Sequence, residues 1–264
     1  MNSLSDAVDY SGVPYLEEIL NYLPIDPDDG EKIVTYVGNL SKAINVNYQG
    51  AQYKFAYFGL HLLYMTYIYC SVWKISKSNP GRYNDAVILA RPHDKQKLNS
   101  NDIESIFDYS YMRETELPKI FKIVGLDNSQ IGIIVGIVKI RNDIAHATGN
   151  NLTLKTNKNF NEEAKAICIS MKNIHECMKV QIIELFKDFL LKYCHGKFTK
   201  EYSDDIENII SEQMIKKFYL SKNELLVCNE MILQKLPDDL LKFETKLDKF
   251  KQEFKTYCED NGYL

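Results

Sequence analysis

The sequence predicts an all-α fold: an antiparallel helical bundle with additional helices at its C-terminal end. Three observations predict it. Every long apolar pattern in the 264 residues repeats near 3.6 rather than 2. No run of alternating polar and apolar residues is bounded by hairpin turns. Finally, helix start and stop residues flank the periodic segments.

Residues 1–30 read as an irregular N-terminal arm, because Pro14, Pro24, Pro27 and the turn-forming "DPDDG" interrupt any pattern. From Glu31 to about Ser76 the pattern is helical, as two helices broken near "NVNYQG". The second includes Phe55–Trp73, nineteen residues without a formal charge. That length could just span a bilayer. Its four tyrosines and His61 would be costly at mid-membrane, so it reads instead as the buried helix of a protein with no membrane partner.

The stretch "SKSNPGRYNDAVILARPHDKQKLNSND" is rich in breakers and reads as a long loop, near 77–101, with room for a short hairpin. Between Lys74 and Lys97, six cations (Lys74, Lys77, Arg82, Arg91, Lys95, Lys97) stand against Asp85 and Asp94, a local net charge of +4. It is either a solvated loop or an edge that tracks phosphates. Asp102–Val124 looks helical, interrupted near Pro118.

"DNSQIGIIVGIVKIRNDIAHATG" follows. It is β-branched but too long for a strand, with Asn128 or Ser129 as a possible cap and Gly149 after its end. Apolar on nearly every side, it should be a central buried helix, and Gly132 and Gly136 should let another helix approach closely. Past a loop, Asn161 can cap the next helix, with Glu162 and Glu163 in its first turn. There Ile167, Met171, Ile174, Met178, Ile182, Leu185 and Phe189 form one core-facing stripe. Two or three shorter helices finish the chain; "SKNE" (Ser221–Glu224) is a capping box, and "PDD" from Pro237 opens the last helix. The organisation is thus an arm (1–30), a bundle (31–195) and a helical extension (196–264).

Composition excludes little. The net charge is −4, with 45% hydrophobic and 26% charged residues, so a uniformly basic nucleic-acid surface is ruled out and a local basic patch is not. The N-terminal residues resemble no secretory signal, and six cysteines without a CxxC pair read as free thiols of a reducing cytoplasm. His175 with Cys177, and Cys194 with His195, match no usual zinc spacing, so neither a metal nor another cofactor is expected.

The segment that stands out is "RNDIAHATG", Arg141 to Gly149, at the tip of that apolar helix. Cations suit a helix C-terminus, so Arg141 and His146 could merely cap it, with Asp143 paired to Arg141. A chemical reading is also open. Asn142 and Asp143 precede His146 by four and three residues, within reach of the imidazole, and an oriented histidine moves protons near neutral pH. Arg141 and His146 themselves lie about 140° and roughly 7.5 Å apart on an ideal helix, so one helix does not aim both at a single point.

In this context "RNDIAH" resembles the active-site motif of HEPN-domain ribonucleases: an arginine, four to six residues, then a histidine, with a polar residue after the arginine. Arg141, Asn142 and His146 fill those positions, and the resemblance covers about residues 31–195. It implies metal-independent RNA cleavage by a toxin or antiviral defence effector, two motifs facing each other in a homodimer, and an antitoxin or defence-system partner. Thr148 stands where toxins paired with nucleotidyltransferase antitoxins often carry tyrosine. The implied site has Arg141, His146 and Asn142 as catalytic residues with Asp143 in support. The expected RNA contacts are Lys74, Lys77, Arg82, Arg91, Lys95, Lys97, Lys155 and Lys158. The alternative is a non-catalytic helical module that binds RNA or protein.

Overall fold

The computed structural model describes residues 12–25, 32–90, 98–145, 156–198, 205–233 and 238–264. Of these, 79% are helical and none lies in a β-strand.

Among the described residues ten α-helices follow in order: α1 Leu16–Leu20, α2 Lys32–Gln49, α3 Tyr53–Ser78, α4 Pro80–Leu89, α5 Asn128–Ala145, α6 Asn157–Cys194, α7 Ile206–Ile210, α8 Lys222–Leu233, α9 Asp238–Leu241 and α10 Glu244–Asp260. Two 3-10 segments, Ile106–Tyr111 and Leu117–Val124, lie between α4 and α5, and a π-helical turn, Ser211–Lys216, continues α7.

The centre of the bundle is α3, not α5. It packs on α2, α4, α5, α6 and both 3-10 segments. By length and composition α3 is the one described helix that could cross a membrane, and 72% of its apolar window is buried inside the protein. The tyrosines explain how such a helix serves a core. Tyr64 shares a hydrogen bond with Ser170 (2.7 Å), Tyr67 donates to the Met171 carbonyl (3.0 Å) and Tyr57 to the Ile137 carbonyl (3.3 Å). Each ring fills the interior while its hydroxyl finds a partner on a neighbouring helix.

The close helix approach also falls on α3. A Cβ added at Gly59 would lie 2.6 Å from Ile44 Cγ1, so α2 and α3 touch there only because residue 59 is glycine. At Gly132 and Gly136 no described atom lies within 4 Å of an added Cβ. Only Ile134, Ile137 and Val138 of α5 are buried, and Ile133 is exposed. The β-branched residues of α5 therefore clothe a surface helix whose glycine face is open. Its start is capped by Asp127: Gln130 N–H donates to Asp127 Oδ1 (2.8 Å), and Asp127 N–H donates to Gln130 Oε1 (2.9 Å).

Other boundaries shift for similar local reasons. Part of the expected arm is α1, anchored by Leu16 and Ile19. The expected loop after α3 contains α4, because Asn79 is its N-cap and Pro80 occupies the first turn, where a missing N–H is harmless. Pro118 opens the second 3-10 segment instead of interrupting a longer helix. Thr156, not Asn161, caps α6, accepting the Asn159 N–H at 3.3 Å. Pro237 lies outside the described residues, and the last helix opens at Glu244. The stripe on α6 is buried from Ile167 to Phe189 as expected.

The C-terminal helices share the bundle's core. Trp73 Nε1 donates to the Lys217 carbonyl (3.1 Å), and Ile25 N–H to the Leu220 carbonyl (3.0 Å). The expected capping box is present, with Ser221 N–H on Glu224 Oε2 (2.8 Å) and Glu224 N–H on Ser221 Oγ (3.3 Å).

Candidate functional site

Arg141 sits in the last described turn of α5, half-buried, on the side that faces the core with Ile134, Ile137 and Val138. Asp143, two residues on, is turned by about 200° and is exposed. The expected Arg141–Asp143 pair is therefore not formed. Arg141 instead donates through Nη2 to Glu114 Oε2. Asn142 is half-buried beside it, and His146 and Lys155 lie outside the described residues.

Glu114 occupies the turn between the two 3-10 segments, closed by Glu116 N–H to the Arg113 carbonyl (2.8 Å). A second group reaches the same Oε2: His61 Nε2 from α3, at 3.3 Å. A carboxylate only accepts, so in this contact Nε2 carries the proton. His61 is 1% exposed, and its Nδ1 has no described partner. The result is an imidazole–carboxylate–guanidinium line running from the buried centre of α3 to the surface end of α5.

The charges of this line act on its surroundings. Burial pushes the Glu114 carboxyl up, but the hydrogen bonds and charges of His61 and Arg141 together outweigh it, so the group stays below its ordinary value of 4.5. Burial raises Tyr69 to about 12, helped by the Glu114 charge and opposed by Arg141. Tyr57 is also raised by burial and feels both Glu163 of α6 and Arg141. These couplings bring the last turns of α5 and the N-terminal turns of α6 alongside α3 between Tyr57 and Tyr69.

The expected basic contacts divide. Lys74 is 1% exposed and paired with Glu224 at 2.8 Å, so its ammonium is withdrawn from any polyanion; its place in the apolar stripe of α3 turns it inward. Lys77 lies 4.2 Å from the Trp73 ring centre and donates to the Ser100 carbonyl (3.2 Å), and burial lowers its pKa. Arg82 and Lys158 are exposed. Arg91, Lys95 and Lys97 lie outside the described residues. Lys77 is also about 24 Å along α3 from His61, so this stretch and the Arg141 cluster occupy different ends of the helix. Nearer the cluster, Lys158 and Lys165 line an open cleft with Tyr15, Asn157, Asn161 and Glu162.

Spacing alone could not have shown Glu114, 27 residues from Arg141. His61 left a trace, as the only ionisable group besides tyrosine and cysteine in the run from Phe55 to Trp73. Among the described residues no cluster of three His, Cys, Asp or Glu could hold a metal ion. Comparison of the chain with protein-family models, curated proteins and solved structures finds no match.

Proposed function

We propose that this chain is an endoribonuclease of the HEPN type, a toxin or antiviral defence effector that cleaves RNA without a metal ion. The observation that carries the reading is the placement of Arg141. It stands near the end of a long helix in an all-helical bundle, and its side chain is partly exposed, with Nη2 on Glu114 and no other described hydrogen-bond partner.

The reaction uses the nucleophile that RNA itself carries. A base takes the 2′-hydroxyl proton, the oxygen attacks phosphorus, the bond from phosphorus to the 5′-oxygen breaks, and that oxygen receives a proton. The products are a 2′,3′-cyclic phosphate and a 5′-hydroxyl. His146 handles one of these protons, Asn142 orients it or a phosphate oxygen, and Asp143 supports it. Arg141 donates to the non-bridging oxygens as charge accumulates.

Because an ideal helix would turn residues 141 and 146 about 140° apart, the reading calls for a homodimer that brings two motifs to a two-fold axis. The partners are then RNA, a second copy and an antitoxin or defence-system controller, all in the cytoplasm. Arg82 and Lys158 are the described candidates for phosphate contacts.

One observation favours a second reading. The Arg141–Glu114 pair also ties the 3-10 turn to α5, as a structural contact would in a non-catalytic module that binds RNA or protein. The test is to measure cleavage and melting temperature on the same preparations. His146→Ala should lower the rate by about two to four orders of magnitude. Arg141→Ala should lower it about a hundred- to a thousandfold. Both should stay folded, and cleavage should survive EDTA. Folded wild type that cleaves no RNA would select the second reading, and full activity in His146→Ala would remove the HEPN mechanism.

A further inference from the structure

We propose that Glu114, braced by His61, is the positioning residue for Arg141; this rests on the nuclease reading above. An arginine at a helix end has a long, flexible stem, and a phosphate-binding cation works best when its donors are already aimed. Glu114 supplies the aim. It stands on a hydrogen-bonded turn that fixes the root of its side chain, and His61 Nε2 meets its carboxylate from the core. Among the described residues only one oxygen, Oε2, is engaged, and it meets a single Arg141 nitrogen, Nη2, leaving the rest of the guanidinium fork without a described partner. A bidentate pair would occupy the edge that a phosphate needs; this one-point contact fixes direction and leaves donors free.

His61 completes the device. Its Nε2 approaches the same oxygen from the core side, opposite to a surface approach by RNA. An apolar residue at position 61 would leave no orphaned Nδ1 in the interior, so the Nε2 contact is what the imidazole contributes there. The titratable groups that face this line are the phenols Tyr57 and Tyr69, both kept protonated and uncharged by burial. Nothing described competes with Glu114 for the guanidinium.

The test uses the full chain with Glu114→Ala, Glu114→Gln and Arg141→Ala. Glu114 is partly exposed on a turn, so these changes open no core cavity, whereas a substitution at His61 could unfold the protein. With RNA in excess, Glu114→Ala should lose about tenfold to a hundredfold in kcat. Its KM should stay within about threefold, since no direct contact to RNA is removed. Glu114→Gln, which keeps an acceptor for Arg141, should lie between it and wild type. The Glu114→Ala/Arg141→Ala double variant should be no slower than Arg141→Ala alone, because a positioning residue has nothing left to position. Independently, 15N-resolved spectra should show slowly exchanging Arg141 guanidinium protons in wild type that exchange fast in Glu114→Ala. An unchanged kcat, multiplicative losses in the double variant or an unaltered guanidinium signal would overturn the proposal. If the wild type cleaves no RNA, the nuclease reading falls, and the spectra alone decide whether Glu114 holds Arg141.

Discussion

Two ion pairs meet α3, one through Lys74 and the other through His61, and they have opposite characters. Lys74 and Glu224 are 1% and 3% exposed, and Glu224 also closes the capping box of α8. Arg141 and Glu114 are 26% and 24% exposed, and their companion is a buried histidine with a spare nitrogen. A charge sealed in the core has one possible partner, so its role is to fix which segment docks where. A partly exposed arginine can keep its protein partner and still offer donors to a passing phosphate. Exposure, more than the presence of a salt bridge, separates a structural pair from a candidate chemical one.

The largest effect expected from breaking this symmetry is at the sealed pair. Lys74→Met should destabilise the fold by about 3–5 kcal/mol, because Glu224 is left buried and unpaired. Calorimetry should show it, while nuclease activity per folded molecule stays at the wild-type level. Arg141→Ala should invert that pattern, with activity lost and the melting temperature changed little. Equal behaviour of the two variants would erase the distinction.

The half-exposed pair should reveal itself through pH. Glu114 in the folded state sits below its ordinary 4.5, so its contribution to stability is complete above about pH 5. It is lost as the pH falls through the lower folded-state value. The stability gap between wild type and Glu114→Gln, at most about 1 kcal/mol for so accessible a pair, should therefore close on acidification. A gap that persists at pH 2 would remove Glu114's charge from the account.

Smaller effects sharpen the remaining surface. Neutralising Arg82 and Lys158 should each flatten the salt dependence of RNA binding by about 0.7 in logarithmic slope where it contacts a phosphate, whereas Lys74→Met should leave that slope alone. Gly136→Ala fills open space on α5 and should raise monomer stability by about 0.5–1 kcal/mol through helix propensity. Thermal unfolding of the two proteins checks this, and a variant that melts lower would mean that position 136 has a close neighbour.

How much of this was legible in the residues differs from element to element. The α6 stripe and the Ser221–Glu224 box are local patterns, and both stand where they were expected. Asn79 and Pro80 also carry a local message, a cap and a first-turn proline, yet among so many breakers they read as loop. α5 misled for a different reason. Apolar content reports that a helix has little need of water, but not how many neighbours it has; α3, richer in tyrosine and less uniformly aliphatic, took the centre. The candidate site divides in the same way: Arg141 and Asn142 belong to a contiguous motif, whereas Glu114 and His61 are joined to them only in space.

Helicity, the approximate span of the long helices and the polar motif at the tip of α5 were thus determined by the sequence alone, because capping, periodicity and hydropathy act over a few residues. Tertiary structure decided which helix became the core, which lysine turned inward and which carboxylate met Arg141. Each of those outcomes depends on segments tens of residues apart competing for the same buried volume and the same hydrogen-bonding partners. No local pattern records who wins that competition.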